Sequence, residues 1–445
     1  MKIKIGLLLC IMVVLISCGW YKTFIGKTEN ISVIEESIKN GNDYMEKGYY
    51  YEACESYKIA ERKQESGELE EIISYCYYML GDENESYSWA MKAYKGGYKT
   101  EYIYQLLADK CLRMGEKKEA CDLLCEAKKN GIESDILDEQ YQNIKSEYVD
   151  MFFSYKDVKD FSYENTIVWD DDTCYVVNYE GRKIMPGSNH EVYDISMDEC
   201  INDKWSDVKI IYSGYSSGLC RFYDDNGYVR ISPDDKYDYV GAPKDGMILV
   251  KKGDFWGYID TDFNEIDISY EDATGFSNER AAVKKNGTWI IVDKTLMPVN
   301  GDKYEDVLVD DYKVCSSSGG IIVKKDGIYS ILSSDGEVLL DDIEEAKCFV
   351  GEKSYAAVKI GGVWKLADCN GQIIYEGNEE ELDSTCCDLV GFREGELWGY
   401  KYIDGSGMIE PQFTRVKAFN KKGYAFVMEN DVWSMIKMEV FEDEN

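Results

Sequence analysis

Histidine is almost missing from this chain. His190 is the single one in 445 residues. A Ser-His-Asp or Cys-His nucleophile system would therefore have one possible base. That residue closes the loop-like run Gly187-Ser188-Asn189-His190 with no nucleophile elbow nearby, and reads as plain surface. Positive charge is scarce as well. Lys and Arg total 50 against 85 Asp and Glu, a formal charge of −35. A field of that sign repels phosphate backbones, so no nucleic acid is expected as a partner. The charge itself reads as a well-solvated surface. No Gly-x-x-x-x-Gly-Lys-Ser/Thr loop occurs, and no dinucleotide fingerprint follows a strand and opens a helix, so no cofactor is expected.

Metal-ligand patterns are equally thin. Asp260-Thr261-Asp262-Phe263-Asn264 alternates oxygen ligands like a calcium loop but lacks the following glycine and the distant glutamate, and reads as a turn. There are 15 cysteines. Cys121 and Cys125 stand four apart and Cys386 and Cys387 are adjacent, neither with the spacing of a zinc site. Once Cys10 and Cys18 are set aside the rest are odd in number, unlike a disulfide framework, and most read as small buried hydrophobes. Asp170-Asp171-Asp172, Asp310-Asp311 and Asp341-Asp342 could serve glycoside hydrolysis in pairs, but such clusters are expected by chance in so acidic a chain. No metal site and no catalytic residue is assigned, and the expectation is that the protein is not an enzyme.

What is present begins at the amino terminus. Lys2 and Lys4 precede an apolar run, Ile5 to Ile16, too short for a spanning helix of about 20 residues but of signal-peptide length. Leu15-Ile16-Ser17-Cys18-Gly19 ends it. This resembles the lipobox of bacterial lipoproteins, which implies cleavage after residue 17 and acylation of Cys18. Several acyl chains at about 0.8 kcal/mol per buried methylene would hold the protein on a bilayer. The positive end stays cytoplasmic, so everything after Cys18 is expected outside, on the extracytoplasmic face of the cell membrane. The competing readings are an uncleaved single-pass anchor and an ordinary cleaved signal. Residues 18–30 read as a linker.

Residues 31–147 carry a helical repeat. Gly48, Gly81 and Gly115 are 33 and 34 residues apart. Five residues after each stands Ala53, Ser86 or Ala120; nine after, Tyr57, Ala90 or Leu124; twelve after, Ala60, Ala93 or Ala127. Glycine ends one helix in the left-handed conformation, and the small residues let the next helix pack closely. The spacing resembles tetratricopeptide repeats, which implies a stack of helical hairpins serving as an interaction module.

Residues 163–438 change period. Short β-rich runs are separated by Asn-Gly and Asp-Gly pairs, the mark of tight hairpins. Phrases such as Lys251-Lys252-Gly253-Asp254-Phe255-Trp256-Gly257 recur, with aromatics at 256, 289, 329, 364, 398 and 433, spaced 33, 40, 35, 34 and 35 apart. Degenerate copies precede them near Tyr175 and Cys220. These phrases resemble WG (KWG) repeats, although the Trp-Gly pair itself survives only at 256–257 and 398–399. Each unit reads as three short strands that must stack on neighbours to bury an apolar face. The tryptophans read as packed core in preference to sugar-stacking platforms.

The expected fold is a multidomain α and β chain: N-terminal α-helical hairpin repeats, then an all-β repeat array. A propeller-like ring is favoured over an open β-array because a ring limits exposed edges. The expected function is a membrane-anchored extracytoplasmic binding or scaffold lipoprotein with a protein or glycan partner. The alternatives are an envelope glycan-binding module, which needs exposed repeat aromatics, and an envelope hydrolase, which needs two converging carboxylates.

Overall fold

The computed structural model describes residues 31–441, apart from 163, 171–172, 186–189, 197–210, 217–218, 224–228 and 232–236. The expectations for the signal segment 1–17, for Cys18 and for the linker 18–30 lie outside the described residues. Among the described residues no helix is long and apolar enough to cross a membrane. Contacts divide the chain after Tyr141 into two compact units.

The first unit is helical. Helix α1 covers residues 31–46 and is followed by α2 (Tyr50–Lys63), α3 (Gly67–Leu80), α4 (Glu83–Lys95), α5 (Glu101–Met114), α6 (Lys117–Lys129) and α7 (Asp135–Ser146). The three repeat glycines fall at the α1–α2, α3–α4 and α5–α6 turns with φ of 75°, 77° and 78°, the left-handed region that a side chain would strain. The small residues that follow are all buried: Ala53, Ser86 and Ala120, then Ala60, Ala93 and Ala127. Close helix approach is therefore built on the spacing itself. Asp82 caps α4 by accepting from the Glu85 amide at 3.1 Å, one of the orphan donors of a helix start. Lys92 of α4 ties α2 to α3 by bonding Glu61 and Glu70.

The second unit is a closed β-propeller. Among the described residues its strands form eight sheets, seven of four strands and one of three. They are numbered here as blades 1 to 8, at residues 157–185, 190–231, 239–270, 272–293, 306–343, 345–376, 381–413 and 415–438. In each blade successive strands are neighbours joined by antiparallel pairing. Where the sequence implied three strands per unit, most blades have a fourth, two-residue strand at one edge. Examples are Asp157–Val158, Tyr239–Val240, Asp306–Val307 and Glu381–Leu382. A strand this short has no periodicity to read, which is why it is invisible in the sequence.

The ring is closed by exchange between its ends. Tyr148–Tyr155 completes blade 8 by pairing with Val432–Met438, with Tyr148 opposite Met438 and Tyr155 opposite Trp433. Apolar clusters bridge neighbouring blades. Leu249 and Tyr258 of blade 3 pack with Ala273, Phe276 and Val283 of blade 4. Val168 and Val177 of blade 1 pack with Phe426 and Trp433 of blade 8. No blade buries its faces alone, so repetition and closure follow from the need to cover apolar surface.

Three devices recur around the ring. The lysine before each hairpin and the aromatic after it are cross-strand partners: Lys251 with Trp256, Lys284 with Trp289, Lys324 with Tyr329, Lys359 with Trp364. The ammonium groups lie 4.8–5.8 Å from the ring centroids, within cation–π range. A carboxylate just before the short strand then accepts from the amide of a hairpin glycine. Asp238 serves Gly253, Glu271 serves Gly287, Glu305 serves Gly327, Glu344 serves Gly362 and Glu380 serves Gly395, at 2.6–3.2 Å. Lastly, Asp260, Asp293 and Asp368 each bend the next hairpin by accepting two amides, from residues two and four further on. Both amide bonds of the calcium-like phrase run to Asp260 Oδ1, so that carboxylate is a turn former.

Candidate functional site: the propeller axis

The sequence motifs meet different fates in the structure. Trp289, Trp364 and Trp433 are buried, and Trp256 and Trp398 pack against their blade cores while partly exposed. The indole faces are also covered. Lys313 lies 4.5 Å over Trp256 and Lys347 lies 4.5 Å over Trp398. His190 is the first residue of a strand, His190–Ser196, paired with Ser216, where the sequence suggested a loop. Asp341 and Asp342 are exposed on an outer strand. None of the cysteines whose side chains are described forms a disulfide, and Cys121 and Cys387 are among the buried ones.

Asp310-Asp311 is the acidic pair that the fold puts to use. The segment 308–320 between two strands of blade 5 reaches across the axis of the ring. The Tyr312 hydroxyl donates to the carbonyl of Asp160 in blade 1 at 2.8 Å, and the Asp160 amide donates to Asp311 Oδ2 at 2.7 Å. Lys417 of blade 8 bonds both carboxylates, Asp311 at 2.5 Å and Asp160 at 3.3 Å. On the blade 4 side, the Gly275 amide donates to the Lys313 carbonyl at 2.8 Å. Lys313 also pairs with Asp272 at 2.7 Å, and the Ser316 hydroxyl donates to the Ser277 carbonyl at 2.6 Å. Ser317 reaches the Phe349 carbonyl of blade 6 at 3.3 Å. Tyr312 itself is buried in a cluster with Ile167, Cys174, Val176 and Ile195. The segment is thus a plug whose side chains are claimed by blades 1, 4, 6 and 8.

Electrostatics at the plug are unusual. Burial pushes the Asp160 carboxyl up to about 7; Lys417 opposes the rise and Asp311 adds to it. Burial also works against ionised Asp311, but Lys417 outweighs it and holds that carboxyl below its ordinary value. Burial lifts Asp310 to about 6 against the pull of the Val314 amide and Lys244. Burial likewise lowers the Lys159 amine, countered by Asp194 and Asp311. Asp160 Oδ1 is buried without a hydrogen-bond partner. Asp194 and Lys244 form a second ion pair joining blades 2 and 3.

A cavity of about 40 Å³ adjoins the plug, lined by Asp160, Phe161, Ser162, Asp310, Asp311, Tyr312, Val350 and Gly351. It has room for roughly two or three water molecules, far less than a sugar ring requires. Among the described residues no group of three or more His, Cys, Asp or Glu is arranged to hold a metal ion. Sequence reasoning passed over Asp160 and Lys417. Their signal lay in the residues following each short strand, where Lys159, Lys347, Asp383 and Lys417 put a charge just after an apolar residue.

A second surface lies on the helical unit. The three glycine turns share one end of the hairpin stack, and large apolar side chains are exposed there: Tyr49 and Tyr51 at the first turn, Tyr78, Met79 and Leu80 at the second, Met114 at the third. Clustered exposure of large apolar side chains can mark an interaction site.

Helical hairpin repeats followed by a closed ring of hairpin-built blades define a repeat-built β-propeller protein. Within that class the chain carries WG-type repeats: the WG containing repeat family matches residues 221–254, 256–289 and 398–433, the last two running from one aromatic position to the next. No curated protein matches the sequence. Among solved structures, PorZ, a surface component of the type-IX secretion system of Porphyromonas gingivalis, is 11% identical at a TM-score of 0.34. The alignment covers 63% of this chain and 42% of PorZ. The extracellular domain of a putative one component system from B. thetaiotaomicron is 10% identical at 0.32, covering 64% and 46%. The Cps50 (Swd1) β-propeller domain of Myceliophteria thermophila is 7% identical at 0.31, covering 56% and 97%. Likeness at this level carries no functional meaning.

Proposed function

We propose that this protein is a binding scaffold, held by lipid on Cys18 at the extracytoplasmic face of the membrane, that engages a partner protein through its helical repeats. The carrying observation is the exposed apolar rim at the glycine-turn end, Tyr51, Tyr78 and Leu80 foremost. Ordering such residues in water costs nothing only if something covers them, and helical-repeat stacks are built to present such surfaces. The propeller supports the same reading. Its tryptophans are spent on packing and on stacked lysines, which argues against sugar platforms, and its converging carboxylates border a space too small for a glycan, which argues against glycoside hydrolysis.

The test is photo-crosslinking in living cells from residue 79 of the full chain, with the otherwise unchanged chain compared to Tyr51→Ser/Tyr78→Ser/Leu80→Ser. One defined protein captured by the otherwise unchanged chain and lost in the triple variant supports the scaffold. Capture of polysaccharide, or capture unaffected by the triple variant, overturns it. Incorporation of labelled palmitate, abolished by Cys18→Ser, tests the anchor separately.

A further inference from the structure

We propose that residues 308–320 are a pH-operated plug of the propeller axis, seated while Asp160 carries a proton beside ionised Asp311 and released when that proton is lost.

The geometry carries the argument. Two carboxyls from opposite parts of the ring converge on one ammonium, Lys417 Nζ lying 2.5 Å from Asp311 and 3.3 Å from Asp160, and the Asp160 amide donates to Asp311 Oδ2. Two buried carboxylates facing a single ammonium would leave a net negative charge, which favours a proton on one of them. That proton belongs on Asp160. Lys417 sits closer to Asp311 and keeps it ionised, while Asp160 Oδ1 is buried and meets no other donor. With the proton in place the set is neutral: one ammonium, one carboxylate, one carboxylic acid. When the proton passes to solvent, two anions face a single lysine.

The surroundings do not absorb the extra charge. Asp383 of blade 7 faces Asp160 as a further anion. Lys159, the cation on Asp160's own strand end, stacks 4.8 Å over the Tyr312 ring, and burial disfavours its charged form. Lys244 is committed to Asp194, and Asp310, on the plug and lining the same cavity, is a further buried carboxyl whose ionisation near pH 6 adds negative charge. Val350 and Gly351, from blade 6, supply no ionisable side chain. The repulsion falls directly on the bonds that seat the plug, Asp160 amide to Asp311 and Tyr312 hydroxyl to the Asp160 carbonyl.

The sign follows from linkage. A carboxyl whose proton is held more tightly in the folded state stabilises that state at low pH, and the stabilisation is lost as pH rises through the folded value. The plug is therefore tight in acid and loose in mild alkali.

The experiment is hydrogen exchange of the full chain read by mass spectrometry, each rate divided by its intrinsic rate at that pH. Between about pH 6 and about pH 8, exchange in 308–320 is expected to rise about tenfold or more, with the strands at 321–325 and 356–360 unchanged. Asp160→Asn, a neutral mimic of the protonated acid, is expected to abolish the rise. Should that variant not fold, Asp311→Asn also removes one of the two facing charges and is expected to flatten the profile. A wild-type plug whose protection does not change with pH overturns the proposal, as does an undiminished rise in whichever variant folds.

Discussion

Lys347 stands between two tryptophans, 4.5 Å above the ring of Trp398 on the following blade and 5.8 Å from that of Trp364 on its own. The same ammonium pairs with Glu381 at 2.8 Å. One side chain thus fastens blade 6 to blade 7 by two kinds of contact. Lys347→Met keeps the length and apolar stem but removes both. The expected loss is about 1–2 kcal/mol, combining a partly desolvated cation–π contact with a partly exposed ion pair, read as a lower thermal midpoint of the propeller.

The same substitution changes the acid response. Burial resists ionisation of Glu381, but Lys347 and then Arg393 hold its carboxyl below the ordinary value. Stability from such a group is present above its unfolded pKa and is lost as pH falls through the lowered one. Lys347→Met is expected to show a shallower loss of midpoint between neutral and acid pH than wild type. An identical pH profile would contradict the pairing.

Gly257 and Gly399 test why the Trp-Gly pair persists where it does. A Cβ at 257 would lie 2.0 Å from the Asp267 carbonyl oxygen, and one at 399 would lie 2.3 Å from that of Ile409. Both obstacles are backbone of the adjoining strand, which cannot yield cheaply. Gly257→Ala is expected to cost about 2–3 kcal/mol by overpacking. Ser330→Ala, at the equivalent place in a blade that already carries a side chain there, should stay within about 0.5 kcal/mol. Denaturant midpoints decide between them.

The hairpin carboxylates are expected to act independently. Each of Glu271, Glu305 and Glu344 loses one amide partner on conversion to alanine, a cost of about 1 kcal/mol. Since they serve different blades, double substitutions should add. A double variant no worse than either single one would rule out the capping role.

In the helical unit the small residues are the sensitive ones. Ala93 is fully buried, with Leu106 and Leu107 in its cluster. Ala93→Leu is expected to cost about 1–3 kcal/mol, seen as earlier melting of the far-ultraviolet helical signal. The exposed Tyr78→Ser should leave that signal in place.

The ring was legible in the sequence because its period is carried by large, rare residues. Trp256, Trp364 and Trp398 fix the register, and the Asn-Gly and Asp-Gly pairs mark the hairpins. The helical stack was legible through Gly48, Gly81 and Gly115 with their small followers. The short edge strands were not, since two residues such as Asp272 and Ala273 show no alternation. Nor was the strand Tyr148–Tyr155, because its pairing partner lies at the other end of the chain. The plug was hidden for a third reason. Asp310-Asp311 looks like any acidic pair in an acidic chain, and only the fold brings it to Asp160 and Lys417, each remote in sequence.

Sealing of the ring by Tyr148–Tyr155 has a consequence for synthesis. The strand that must meet Val432–Met438 emerges from the ribosome first and waits for the last. Until Val432–Met438 has been made, an almost complete circle carries raw edges on both sides of its gap, the kind of surface that recruits other chains. Removal of Val432–Met438 should therefore be far more damaging than its length suggests, leaving an open ring prone to aggregation.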